Sequence, residues 1–396
     1  MDSSTELLLY AETPFLSGAE KQILLNFGYL RSHNYEVQLL ITTRRDGRSE
    51  FDSLDLGDHA TFIESWLLGI QSNRRIRNFL YEQWSFIAGL ARGLRTCSGK
   101  RLRTVHVSNG GHPGSAGARG FATAVALFHP RVQLVITVNN LAVPYNSFPR
   151  LLDLVSDRIL ASRALWVTGS EVARNQLMEV LGIPHGKVIV IPNGVQKPHC
   201  LCNGRQTSSL LRRQIGDRKV LLSVGHLVNR KGHEVLIEAI FLLRKSARIS
   251  EEWVLLIEGE GELSAHLEKR VRELNLGNQI FLLGRFGCIA ELYDLCDVFV
   301  HPSIANEDLP NVISEAMSYS LPVIATDVGG ASEQVEAGVT GTVIEPGSPS
   351  QLAEALIALM EKPSLRKKLG NRGRVAYLQK FSPNVAFNKY LDEYRR

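Results

Sequence analysis

Short apolar, β-branched runs alternate with helix-periodic stretches along almost all of this 396-residue chain, in two successive series. Such alternation is the mark of a parallel sheet, because parallel neighbours can be joined only by a long crossover, usually a helix. In the first half the runs fall at 7–10, 37–41, 104–107, 134–138, 165–168 and 188–191; in the second they fall at 220–224, 253–257, 280–283, 298–301, 322–326 and 342–344. Between them IPNGV leads into QKPHCLCNGRQTSS, a polar stretch with no periodicity. The length exceeds one ordinary core. We therefore expect an α/β protein with two doubly wound domains, 1–195 and 219–380. Residues 196–218 are expected to connect them, and an amphipathic helix at 381–396 to pack back on the body. Ligands of such folds bind at the carboxyl ends of the strands, so two sheets facing across a cleft would bring together the loops that follow the first strand of each.

The charge balance, 45 Lys and Arg against 40 Asp and Glu, does not single out a nucleic-acid binder. The five cysteines, Cys97, Cys200, Cys202, Cys288 and Cys296, are scattered. Cys200-Leu201-Cys202 has no second pair at metal-ligand spacing, so neither zinc nor a disulfide framework is expected and the thiols are read as reduced, in a cytosolic protein. MDSSTELLLY lacks the basic region of a signal peptide, and no apolar run is long enough to span a membrane.

The stretch NEDLPNVISEAM, 306–317, carries the most chemistry. A strand precedes it and Pro310 suits the first turn of a helix, so Glu307 falls in the loop, beside helix amides that attract phosphate. Asn311 and Glu315 share one helical face, where a carboxylate can accept hydrogen bonds from vicinal hydroxyls. One acid for a sugar, amides for a diphosphate and one acid for a ribose would fit a nucleotide sugar; an ordinary helix with a solvated glutamate on each side fits the spacing too. In VGHLVNRKGHE, His226, Arg230 and Lys231 lie in a strand-to-helix loop, where cations could neutralise a leaving diphosphate or form a solvated turn.

Together VGHLVNRKG, IEGEGE, LLGRF, HPSIANEDLPNVISEAM and LPVIATDVGGASEQVEAGVTGTVIEPG resemble the carboxyl-terminal half of family 4 glycosyltransferases, retaining enzymes of the GT-B fold with two Rossmann-like domains. The resemblance runs from 220 to 347, with IPNGV upstream, and more weakly through FLSGAEK and VTGSEVARNQL in the first half. It implies that Glu307 contacts the transferred sugar near the reacting centre and that Glu315 holds the ribose. It also implies that Lys231 binds phosphate and that Asp308, Leu309, Pro310 and Asn311 line the sugar and phosphate with backbone amides. His226 stands where the family usually has arginine, and is charged only when protonated; Arg230 is a partial substitute. Phe286 would lie near the base.

In the first half the family's Gly-Gly-x-Glu loop reads Ser17-Gly18-Ala19-Glu20, with Gly18 letting backbone approach the sugar or diphosphate. Asn139 or Asn140 fills the place of a common sugar-contacting histidine. Neither amide is a general base near pH 7, which suits a retaining mechanism in which the leaving phosphate takes the acceptor proton. VHVSNGGHPGSAGARG presents His106, Asn109 and His112; it resembles glycine-rich runs of members that build capsules and other surface polysaccharides, and reads equally as a packing loop.

No Asp-x-Asp triplet occurs, and neither a metal nor a cofactor is expected. From Ser72 to Thr104 there are eight Lys or Arg and one acid, Glu82. Ile76, Leu80, Ile87, Leu90 and Leu94 fall near helical spacing, as in a basic helix on an anionic membrane face or a core helix with solvated ends. The resemblance thus implies a transferase using a nucleotide diphosphate sugar, with uridine first, and a hydroxyl of a growing, lipid-linked glycan. It would be cytoplasmic and peripheral on the membrane's inner face. Two rivals stand beside it: a catalytically silent nucleotide-sugar-binding subunit partnering an active transferase, and a GT-B nucleotide-sugar epimerase. A dinucleotide dehydrogenase is disfavoured, since no G-x-G-x-x-G follows the first strand.

Overall fold

The computed structural model describes residues 6–13, 18–44, 48, 51, 54, 56–65, 75–98, 101–111, 114–143, 151–200, 211–246 and 252–396. The chain divides into two units, Met1–Gly194 with Ala386–Arg396, and Val195–Val385.

The first unit is a seven-stranded sheet of β1 (Glu6–Glu12), β2 (Val37–Thr43), β3 (Ala60–Glu64), β4 (Leu102–Asn109), β5 (Gln133–Val138), β6 (Leu165–Thr168) and β7 (Val188–Val190). Its order is β3-β2-β1-β4-β5-β6-β7 and every pair is parallel. The edge strand β3 has no counterpart among the expected runs. None of its five residues is fully buried, and Thr61 and Glu64 are exposed, so it lacks the continuous apolar run that marks a strand covered on both faces.

Two helices, Arg75–Cys97 and Ala116–Phe128, pack at unusually close range. A methyl at Gly89 would overlap the backbone of Gly117, and one at Gly120 the carbonyl of Phe86. Gly120 thus serves helix packing, Gly117 leaves room for the Glu12 carboxylate as well as for Gly89, and from Ala116 onward the run is helix rather than loop. His106, a candidate for ligand contact, is 2% exposed. Its Nδ1 lies 2.6 Å from the Tyr394 hydroxyl and its Nε2 2.6 Å from Thr137 Oγ1, so it is a core residue. Asn109 Oδ1 accepts from the Ser115 amide at 3.0 Å. His112 lies outside the described residues.

The helix Pro383–Tyr394 lays Ala386, Phe387, Tyr390 and Tyr394 into the first unit's core beside Ile23, Phe27 and Leu30. Where the chain passes between the units, the Val195 amide donates to Phe381 O at 2.8 Å and Tyr377 Oη donates to Val195 O at 2.7 Å.

The second unit is a six-stranded parallel sheet of β8 (Lys219–Val224), β9 (Trp253–Glu258), β10 (Ile280–Leu282), β11 (Val298–His301), β12 (Val323–Thr326) and β13 (Gly341–Ile344). Its order is β10-β9-β8-β11-β12-β13. Leu221, Leu255 and Val300 point to one core and Val220, Leu222 and Phe299 to the other, as in a sheet covered on both faces. Leu211 and Ile215 are buried in the second of these cores, so the expected connection at 196–218 is not wholly a linker: its last part belongs to the second unit.

Cys200 and Cys288 form a disulfide across 88 positions, with their Cα atoms 5.7 Å apart. This corrects the expectation of reduced thiols: partners so far apart in sequence leave no spacing signal, and only the fold brings them together. Cys97 and Cys296 are buried and take no part in a disulfide, and Cys202 lies outside the described residues. Among the described residues no helix is long and apolar enough to cross a membrane.

Candidate donor site

In both sheets the order reverses about the first strand, between β1 and β4 and between β8 and β11. Loops diverge at such a point and leave a crevice at the strand ends. In the second unit the loop after β8 ends in a 3-10 turn, Asn229–Lys231, and Gly232, before the helix His233–Lys245. The loop after β11 runs to Pro310, which stands just ahead of the helix Asn311–Ser318 rather than inside its first turn. The two loops are laced together: the Ile304 amide donates to Arg230 O at 2.7 Å. Gly232 is at φ +67°, and a Cβ there would overlap the carbonyl of Pro302, which excludes any side chain.

Glu307 sits where the loops meet and is 6% exposed. One carboxylate oxygen, Oε1, receives Lys231 Nζ at 2.6 Å and Arg230 Nη1 at 2.9 Å. Ser303 Oγ lies 2.6 Å from the same oxygen and 2.9 Å from Arg230 O, so its single proton can go to either. Burial alone would raise the Glu307 carboxyl; the Lys231 charge and the donated hydrogen bonds outweigh it and hold the group below its ordinary value. Lys231 is also pulled below its ordinary value, first by burial, although Glu307 opposes that. With Lys231, Arg230 and Ser303 gathered on one oxygen, the carboxylate is ionised and the pair is charged at neutral pH. Behind it the buried imidazoles of His301 and His233 are pushed down by desolvation to about 3 and about 4, so both are neutral.

Glu307 is positioned by its backbone too. Gly329 is at φ +55°, and a methyl there would overlap the Glu307 carbonyl. Asp308 and Leu309 are buried and Asn311 partly so. Glu315, on the next helix, accepts the Tyr293 hydroxyl at 2.7 Å. The Phe286 amide donates to Glu258 Oε1 at 3.2 Å, and Glu258 is raised, first by burial, with the charge of Glu315 contributing.

The structure thus brings Arg230, Lys231 and Glu307 into direct contact. His226 is exposed on the same loop. Gly18 and Asn139 belong to the first unit. Gly18 opens the helix Gly18–Ser32, while Ser17 lies outside the described residues. Asn139 is half-buried with Nδ2 3.5 Å from Ser108 Oγ, and Asn140 Nδ2 donates to Gly110 O at 2.5 Å. Sequence reasoning missed Ser303, Tyr293 and Gly329. Ser303 sat in the quoted HPS run and Gly329 in DVGG; Tyr293 carried no signal, since its partner is set by the fold. Cys200, Cys288 and Glu291 form a set of potential metal ligands within 4.8 Å of one another, but with the sulfurs joined only the carboxylate could ligate.

Two family models match the chain: Glycosyltransferase Family 4 over residues 16–197 and Glycosyl transferases group 1 over residues 212–376. An uncharacterized glycosyltransferase of Methanocaldococcus jannaschii is 36% identical over 215 residues, 54% of each chain. The chain spans about half the length of the curated relatives it matches. A glycosyltransferase of Rickettsia africae superimposes with a TM-score of 0.76 at 20% identity, covering 99% of this chain and 98% of that one. Anabaena HepE in complex with UDP and glucose gives 0.73 at 19%, covering 98% of each. The likeness extends through both units, and with the two family models it shows that the chain belongs to the family 4 glycosyltransferases and has the GT-B fold.

Proposed function

We propose that this protein is a retaining glycosyltransferase that moves a sugar from a nucleotide diphosphate sugar to a hydroxyl of a growing glycan. The observation that carries the reading is the buried Glu307 held by Lys231 and Arg230, with Glu315 one helix turn and a loop away. In this reading the bond from the anomeric carbon to the diphosphate oxygen breaks and its electron pair stays with the diphosphate. Lys231, Arg230 and the amides at the mouth of the helix stabilise that charge. The acceptor oxygen then bonds to the same face of the anomeric carbon, and its proton passes to the departing phosphate. Glu307 orients the sugar, Glu315 accepts from the ribose, and His226 is a further hydrogen-bond donor to phosphate. In the first unit, Gly18 and Asn139 are assigned to backbone approach and to hydroxyl binding. Uridine is favoured because the similar Anabaena protein carries UDP and glucose. Purified protein, incubated with UDP- and GDP-sugars, should release nucleoside diphosphate or glycosylate an acceptor. A protein that binds a donor and never turns it over would be the silent subunit instead.

The acceptor in this proposal is lipid-linked and the protein is peripheral on an anionic membrane. Trp84, Ile87 and Leu94, on the helix Arg75–Cys97, are 61%, 47% and 38% exposed and share one face, beside the exposed Arg95. Arg92 does not serve that face. It donates to the buried Glu12 at 2.5 Å, an ion pair inside the first unit. The side chains of Ile76 and Leu80 lie outside the described residues.

A further inference from the structure

Glu315 carries the ribose in the reading above, and the following rests on that reading. A glutamate side chain has three rotatable bonds, and a receptor carboxylate is worth most when its plane is set before the ligand arrives. Tyr293 is placed to do this. Its ring is 1% exposed on the helix Ile289–Leu295. It stacks on Tyr319 at 5.3 Å and meets Phe299 at 5.8 Å. A buried hydroxyl needs a partner, and this one donates to Glu315 Oε2 at 2.7 Å. The direction is fixed by chemistry, since an ionised carboxylate only accepts. Burial, and then the charge of Glu315, keep the phenol protonated by raising it well above its ordinary value. The O–H also offsets the repulsion between Glu315 and Glu258, which couple electrostatically.

We infer that Tyr293 is a positioning residue for donor recognition: by holding Glu315 Oε2 it turns Oε1 toward the ribose hydroxyls, and so sets the preference for a ribonucleotide over one lacking those hydroxyls. Tyr293 touches no substrate itself and acts through Glu315.

The test is a calorimetric cycle. UDP, GDP and ADP are titrated into the full-length protein, and the tightest is carried forward with its 2′,3′-dideoxy form. Tyr293→Phe keeps the ring, its stacking and the apolar packing, and removes only the oxygen. It should weaken the ribonucleotide about tenfold, leave the dideoxy form unchanged, and have no further effect in a Glu315→Ala background. Equal weakening of both nucleotides would show a merely structural role and overturn the inference. Unchanged ribonucleotide affinity in Tyr293→Phe, with a loss in Glu315→Ala, would overturn it too and leave the donor site standing. Absence of binding by any of the three to the parent protein would remove the functional reading and this inference together.

Discussion

Lys231 Nζ stands 2.6 Å from Glu307 Oε1, and the two side chains are only 13% and 7% exposed. A carboxylate so enclosed, with the neighbouring Arg230 on the same oxygen, is built to carry charge where water cannot. Replacing it by Gln keeps the shape and removes the charge. Glu307→Gln should lower transfer by at least about a hundredfold while unfolding stays cooperative, with the melting temperature reduced. Circular dichroism and a transfer assay check this, and turnover within a few-fold of the parent would take Glu307 out of the site.

Arg230 and Lys231 share a partner but differ in exposure, 41% against 13%. Solvent screens the outer charge more strongly. Lys231→Ala should therefore reduce kcat/KM by about a hundredfold or more, and Arg230→Ala by clearly less. Equal losses would mean that the two cations act as one unit.

Acid should destabilise the fold in two stages. His106, His233 and His301 are held below the ordinary 6.5 by burial, at about 3, about 4 and about 3. Below pH 6.5 the unfolded chain takes up protons that the folded chain refuses, so stability falls as pH drops from there toward 3. Glu307, depressed below the ordinary 4.5, adds stability above that value, and this is lost only as pH falls through its folded value. Urea midpoints should decline from pH 7 to pH 5, and the gap between parent and Glu307→Gln should narrow only below about pH 4.5. A flat response between pH 7 and pH 5 would contradict the neutral burial of the three histidines.

The Cys200–Cys288 bridge closes an 88-residue separation. Cross-links of such span commonly contribute about 2–4 kcal/mol by restricting the unfolded chain. Reduction, or Cys288→Ser, should lower the denaturant midpoint accordingly. Thiol titration of the unfolded, unreduced protein should find two fewer reactive cysteines than after reduction.

If Trp84, Ile87 and Leu94 insert at a lipid surface, replacing all three by Ser should cut sedimentation with phosphatidylglycerol vesicles at least tenfold, while donor hydrolysis in solution persists. Binding that is indifferent to the replacements, or equal on phosphatidylcholine, would sink the membrane part of the proposal.

Much of this was legible in the chain because strands covered on both faces write themselves as apolar runs. The runs at 298–301 and 253–257 lie within β11 and β9, and Glu307, Arg230 and Lys231 announced themselves through their neighbours. Local pattern could not reveal β3, whose faces are only partly covered. Nor could it tell that Gly120 serves a helix contact and Gly117 the approach of Glu12, or that His106 faces Tyr394 across 288 positions. The Tyr293–Glu315 bond and the disulfide were hidden for the same reason: each is a meeting of distant segments.

The core of the first unit includes Phe387, Tyr390 and Tyr394, which are translated after the whole of the second unit. At about 5–20 residues per second, the ribosome leaves the nascent first unit with an uncovered apolar seam for on the order of ten seconds or more. The first unit to emerge is the last to close, so its early fragment is a natural client for a chaperone. A stop anywhere before Phe387 would damage the half of the molecule farthest from it in sequence.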